Sequence, residues 1–385
     1  MDRRTFVKNT FLGGAGVFFC GFPVSAQSDA SAPALPPIET HGLEHVKPSK
    51  LGMPGLFPGK VIQATSSDAI VHNRVSQPLI REMLQQAMTR LTGESSAHAA
   101  WAKFVDRSDI VGIKINPSGA PACCSSPEIV REIVSALQSA GVSATNIIVY
   151  DRYAYEIDIG SYQALVPTEV RVLGIQDAYR GAAGYDMNIY CQANFFGEWE
   201  TRSYMAGVVA HDVTKIINVP TMKDHSAAGV TGCLKNLAYG TFNNVARSHR
   251  APYSFTDPLI GVMCSVEPLR SKAVLHIMDG TRQVWHGGPL TQNQDFIYQA
   301  GTLLVGTDPV AIDTVELQAI EAKRHQQGVP SLWEHEPGSI TPDSNLFFRD
   351  PTKNLFYRRP GHIASASKLG LGIADLKQID HQQIS

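Results

Sequence analysis

Short apolar runs alternate with amphipathic stretches along this chain, the pattern of strands and helices in an α/β fold. Residues 109–116 (DIVGIKIN) read as a strand that ends in polar residues. Ser125-Ser126-Pro127-Glu128 then starts a helix, with Ser126 as N-cap and Pro127 at the first helical position. Ile129, Ile133, Val134 and Leu137 fall at helical spacing and predict its buried face, and Gly141 ends it. Residues 147–150 form the next strand, which ends at Asp151. Strand, helix and strand in this order predict a right-handed crossover between parallel strands.

A similar unit follows later. Residues 302–306 read as a strand, and Asp308-Pro309 caps a helix whose apolar face is Val310, Ile312, Val315 and Ile320. Residues 215–219 and 274–278 are two more apolar strands, ending near Lys223 and Asp279. The stretch 152–208 is less regular and rich in Gly, Tyr and Asn, and is expected to be an inserted subdomain. The pattern predicts an α/β unit over residues 51–385, with a mostly parallel sheet, helices on both faces and that irregular insertion.

The first residues add a compartment. Arg3 and Arg4 followed by Thr5, Phe6, Val7 and Lys8 form a twin-arginine export signal. A weakly apolar stretch to Phe22 and a small-residue cleavage site at Val24-Ser25-Ala26 complete it. The apolar stretch is too short, and too interrupted by Gly13, Gly14, Gly16 and Gly21, for the ~20 residues that span a bilayer. Residues 1–26 are therefore read as a cleaved signal, and 27–50 as a flexible lead into the fold. The translocase is the expected partner during export, and the mature chain is expected to have no membrane anchor. This pathway carries folded proteins, often because a cofactor is inserted first.

Composition narrows the function only by exclusion. Of 385 residues, 43% are hydrophobic and 18% charged, with a net charge of −2, so nothing favours a nucleic-acid partner. Five cysteines follow the signal (Cys123, Cys124, Cys191, Cys233 and Cys264), at irregular spacing and without a Cys-x-x-Cys pair. That argues against a disulfide framework and against an iron–sulfur cluster, and mostly buried free thiols are expected.

In open parallel sheets, ligands gather beyond the carboxyl ends of the strands. The polar residues placed there are Lys114, Asn116, Asp151, Arg152, Lys223, Asp224, His225 and Asp279. The densest segment runs from Pro220 to Asn236. Within it, Ser226 is expected to cap a helix over about residues 227–239, whose first N–H groups face an anion beside Lys223. Lys235 and Asn236 lie some turns along that helix and reach the same pocket only if it bends. The glycine spacing fits neither a Walker loop nor a dinucleotide fingerprint.

Asp224, His225, His249 and His211 offer donors for a hard or borderline metal ion, or serve hydrogen bonding alone; the sequence leaves both open. Cys123 and Cys124 precede a helix start, where a thiol pKa is lowered, and read as reactive, ligating or inert.

Taken together, Val111-Gly-Ile-Lys-Ile-Asn116, the Ser-Pro-Glu helix, the strand ending in Asp151, and Lys223-Asp-His-Ser-Ala-Ala-Gly-Val-Thr-Gly-Cys-Leu-Lys-Asn236 resemble the domain-of-unknown-function 362 family. Asp279-Gly and Gly306-Thr-Asp-Pro-Val-Ala-Ile-Asp313 carry the resemblance further, over about residues 105–325. It is most similar to the twin-arginine-exported branch that lacks an attached ferredoxin-like domain, although Cys123-Cys124 departs from the pattern. The family brings no settled activity.

The expectation is an exported periplasmic enzyme, oxidoreductase-like and dependent on a cofactor or metal, acting on a small anionic molecule. His225, Lys223 and Lys235 are its catalytic candidates; Asp224, Asn236, Lys114, Asn116, Asp151 and Asp279 line the pocket. The alternative is a binding protein for an anionic or metal-bearing solute, without chemistry.

Overall fold

The structure is a computed structural model and describes residues 36–178, 184–194, 200–249, 255–334 and 359–385. The expected signal peptide lies outside the described residues.

The strands are β1 (Glu39–His41), β2 (Lys60–Thr65), β3 (Ile70–Val71), β4 (Arg74–Val75), β5 (Val111–Lys114), β6 (Ile147–Asp151), β7 (Arg171–Gly174) and β8 (Tyr185–Gln192). They continue as β9 (Arg202–Ala206), β10 (Lys215–Asn218), β11 (Thr221–His225), β12 (Gly229–Val230), β13 (Ala273–Val284), β14 (Ile297–Gly306) and β15 (Asp380–Ile384). The main helices are α1 (Gln77–Thr92), α2 (Ala97–Trp101), α3 (Pro127–Ser139), α4 (Ala154–Gly160), α5 (Gly232–Thr241), α6 (Thr256–Ser265), α7 (Pro309–Gln326) and α8 (His362–Lys368).

The central sheet runs β15-β2-β14-β13-β10-β5-β6-β7. Its neighbours pair parallel except at β14, which is antiparallel to both β13 and β2. The expected strand, helix and strand over residues 109–151 are present as β5, α3 and β6, with β5 and β6 parallel. Residues 302–306 are the end of the longer β14, and α7 follows with Asp308 accepting the Ala311 N–H as its N-cap. Within residues 152–208, β7 extends the edge of the main sheet, while β8 joins β1 and β9 in a separate antiparallel sheet. The pairing of β1 ties part of the expected lead to that sheet.

Successive side chains on a strand point to opposite faces, and here they feed two cores. Ile147, Val149, Ile217, Leu303 and Val305 pack with α1, α2 and α3 on one face. Ile148, Tyr150, Ile216 and Leu304 pack with α5, α6 and α7 on the other. Helices thus cover both faces, which is why the strands read as continuous apolar runs. In α3 the positions Ile129, Val130, Ile133, Val134 and Leu137 are all fully buried. Burying each such side chain contributes about 1.5–3 kcal/mol.

Candidate functional site

The site begins with strand register. Lys114 ends β5, paired with Asn218 at the end of β10 and with Tyr150 of β6. Paired residues share a face, so Lys114 and Asn218 point toward the helix layer that holds α5. There Asn236, in the first turns of α5, ties the strand ends together. Its Oδ1 accepts from Lys114 Nζ at 3.2 Å and from Asn116 Nδ2 at 2.9 Å, and its Nδ2 donates to Asn218 Oδ1 at 2.8 Å. Asn218 Nδ2 donates in turn to the Cys233 carbonyl at 3.0 Å and faces His276 Nδ1 at 3.1 Å.

Two lysines have all their donors occupied. Lys114 Nζ donates to Asp151 Oδ2 at 2.8 Å, to the Ile115 carbonyl at 2.8 Å and to Asn236. Lys223 Nζ donates to Asn116 Oδ1 at 2.7 Å, to the Ser118 carbonyl at 2.8 Å and to the Cys123 carbonyl at 3.5 Å. A lysine side chain offers three donors at most, so three acceptors engage the full donor set of each amine. Burial lowers the Lys114 pKa, and the carboxylate of Asp151 opposes that shift.

Lys235 is the third lysine, and it is different. Its Nζ has no hydrogen-bond acceptor among the described residues and stands 4.7 Å from the centre of the Tyr239 ring. Burial, then the charges of Lys223 and Lys114, push its pKa down to about 7, with Asp151 opposing. Lys235 is buried, though as a residue it is 9% exposed, against 0% for Lys114 and 1% for Lys223.

Two imidazoles, His249 and His362, lie in the field of this amine, and His225 packs against His249. The rings of His225 and His249 lie 5.2 Å apart, and His249 lies 5.1 Å from Tyr239. Burial, then the charge of Lys235, push both His249 and His362 down to about 3. Both rings are therefore neutral at ordinary pH. His249 Nδ1 faces the Val245 carbonyl at 3.1 Å and so donates to it, which leaves Nε2 as the basic nitrogen. His225 Nδ1 accepts the Ala227 N–H at 3.0 Å, which puts the proton of a neutral ring on Nε2.

The local fold of residues 220–236 differs from the sequence expectation. Residues 221–225 continue as strand β11 beside β13, a turn follows, β12 pairs back, and the helix starts only at Gly232. The expected anion site at a helix start near Ser226 is therefore absent. The later start is what brings Lys235 and Asn236 to the strand ends without a bend before them. It is built by Asp313, whose carboxylate accepts the N–H groups of Cys233 and Leu234, the latter at 3.0 Å. Glu316 Oε1 accepts the Lys223 N–H at 3.0 Å. Burial raises the pKa of both α7 carboxyls, and their proximity favours a retained proton on the pair.

Two glycines permit this packing. At Gly232 (φ +61°) a Cβ would meet the Asp313 carboxyl carbon at 2.4 Å; at Gly240 (φ +119°) it would meet Asp151 Oδ1 at 2.7 Å and Lys114 Nζ at 2.9 Å. Gly240→Ala is expected to lower stability by at least about 1–3 kcal/mol, through the strained backbone and the displaced ion pair. An unchanged denaturant midpoint would show that the helix end relaxes freely.

The other expected residues are placed elsewhere or already engaged. Asp279 lies within β13, where its carboxylate accepts from Ser126 N and Oγ at 2.7 Å each, and from Thr281 N and Oγ1. Ser126 precedes α3 as expected, yet its hydroxyl makes this contact and not a helix cap. Asp224 Oδ1 accepts the Gly288 N–H at 2.8 Å. His211 is paired with Asp186, 2.7 Å away on the side of the β8–β9 sheet. Among the described residues, no three His, Cys, Asp or Glu side chains gather to hold a metal ion.

All five cysteines from Cys123 onward are free and buried. Burial pushes the Cys123 thiol up and Cys124 up to about 12, the reverse of the shift expected beside a helix start. Asn218, His276, Asp313, Glu316 and His362 were not among the sequence candidates. Asn218 carries the strand-end signature of Asn116 and was open to the same reasoning, whereas nothing in the pattern around His362 marks it.

Two surface cavities, of about 130 and 310 Å³, open elsewhere: one between α1, α2 and α3, the other beside β2, β14 and α7. Neither is lined by Lys114, Lys223 or Lys235, and neither gathers comparable charge. Among the described residues, no helix is long and apolar enough to cross a membrane. A search of curated proteins finds no match. Residues 111–318, a little over half of the chain, match the family described as Domain of unknown function (DUF362), and the chain belongs to that family.

Proposed function

We propose that this protein is a twin-arginine-exported periplasmic enzyme that binds a small anionic substrate in the field of Lys114 and Lys223 and engages it with Lys235. The observation that carries this reading is the charge balance at the strand ends. Three buried lysines meet there, one carboxylate pairs directly with them, and one amine has no acceptor among the described residues. Burying an ammonium without a partner is unfavourable, and an anion beside Lys235 removes that penalty. The same environment gives Lys235 a pKa near the operating pH, where an amine accepts and returns protons most effectively.

Export is supported by Arg3-Arg4 and the short apolar stretch after them. The buried free thiols fit a chain that folds in a reducing compartment before it crosses.

The test is sulfate titration by calorimetry on the mature chain. Lys235→Met is expected to weaken binding by about tenfold or more, as loss of a charge-assisted hydrogen bond implies, and Lys235→Arg to retain most of it. Equal affinity in wild type and Lys235→Met would remove Lys235 from the site. Saturable binding with no chemistry on any carbonyl or phosphoryl compound would leave a solute-binding protein.

A further inference from the structure

The lysines differ in what they have left to offer. Lys114 and Lys223 each face three acceptors, so both are held in place by their own contacts and neither amine is left to attack a ligand. Lys235 faces no acceptor among the described residues, is backed by the Tyr239 ring, and is the most solvent-exposed of the three. An amine placed beside fixed positive charges, away from bulk water, keeps its lone pair available, which is how lysine nucleophiles are activated. The groups around it from each packed element are Lys114 on β5, Asp151 on β6, Lys223 on β11, Tyr239 on α5 itself, His249, and His362 on α8. Asp151 is the carboxylate among them, and it is already bonded to Lys114.

We infer that Lys235 is a nucleophile toward a small oxo acid, forming an imine with its carbonyl while Lys114 and Lys223 provide the field that holds its carboxylate. The inference rests on the anionic-site reading and names the substrate class. The neutral amine adds to the carbonyl carbon, forming a C–N bond, and a proton passes from nitrogen to the former carbonyl oxygen. The carbinolamine then loses that oxygen as water to give C=N, so atoms and electrons balance without any oxidant or reductant. Once protonated, the imine is an electron sink for bond cleavage or proton removal at the adjacent carbon. The His249 ring lies in the field of the Lys235 charge, and its Nε2, the nitrogen left basic, is the group assigned to the proton in transit.

The experiment incubates the mature protein with glyoxylate, pyruvate or 2-oxoglutarate and sodium cyanoborohydride, which supplies hydride to any imine. Intact mass and peptide mapping follow. A single adduct on the peptide that carries Lys235 is expected, suppressed by excess sulfate. Its yield should be about tenfold or more above that in Lys235→Arg, which keeps the charge without the nucleophile. Near-ultraviolet circular dichroism checks that the variant remains folded. If the oxo acids displace sulfate but none leaves an adduct, imine formation is wrong and the anionic site stands. If neither sulfate nor any oxo acid binds, both readings fall. Adducts scattered over surface lysines would also overturn the assignment.

Discussion

Asp151→Ala is expected to lower unfolding free energy by about 3–5 kcal/mol, the usual loss when one partner of a buried ion pair is removed. The size follows from what remains. Lys114, fully buried, would keep only the Ile115 carbonyl and the Asn236 side chain as acceptors. Its charge would then add to those of Lys223 and Lys235 with no carboxylate bonded to any of them. Removing both charges with Lys114→Met and Asp151→Ala together is expected to restore much of the loss, because the uncompensated charge goes with them. Urea denaturation of the two single variants and the double variant gives the coupling directly. A loss below about 1 kcal/mol for Asp151→Ala would mean that water reaches the pair in solution.

Sulfate affinity is expected to be flat below pH 7 and then to fall by about tenfold per pH unit up to about pH 9. The sign follows from the shift at Lys235. With the site empty, its amine titrates at about 7, because burial and two neighbouring ammonium ions disfavour the charge. A bound dianion favours the charged form and raises that value. Below 7 the amine is already protonated in both states, so binding takes up no proton. Between 7 and the raised value, binding must take up one proton, and each further pH unit weakens it. His249 and His362, pushed down to about 3, stay neutral throughout this window and do not contribute. Sulfate keeps a fixed charge over the same range. A flat profile between pH 7 and pH 9 would mean that the anion does not contact Lys235.

Much of the framework was legible in the residue pattern, and the reason is geometric. The strands β5, β6 and β10 are buried on both faces, so they read as unbroken apolar runs with polar ends, and those ends are Lys114, Asp151 and Asn218. Helix α3 was legible because Pro127 and the spacing from Ile129 to Leu137 agree. Residues 226–232 were misread for a physical reason. The run Ser226-Ala227-Ala228 resembles a helix start by composition, but β13 extends past β10 and offers β11 a partner, which no local signal records. Asp313, distant in sequence, then fixes where the helix begins. The metal reading fared differently: donors separated in sequence were grouped by residue type, and the fold sends His211 to Asp186 instead. The contrast among the lysines was hidden as well, because it depends on counting acceptors in three dimensions.

The strand at the outer edge of the sheet has a protective consequence. β2 carries buried Val61, Ile62 and Ala64, and β15, with the polar sequence Asp-His-Gln-Gln-Ile, lies parallel alongside it. Arg90 to Gln382 and His381 to Gln63 help to hold that cover in place. An apolar strand with unpaired backbone groups is a template on which a second molecule can add a strand. The five residues of β15 occupy that position first and turn a polar, partly charged rim outward, so this strand acts as a built-in guard against self-association.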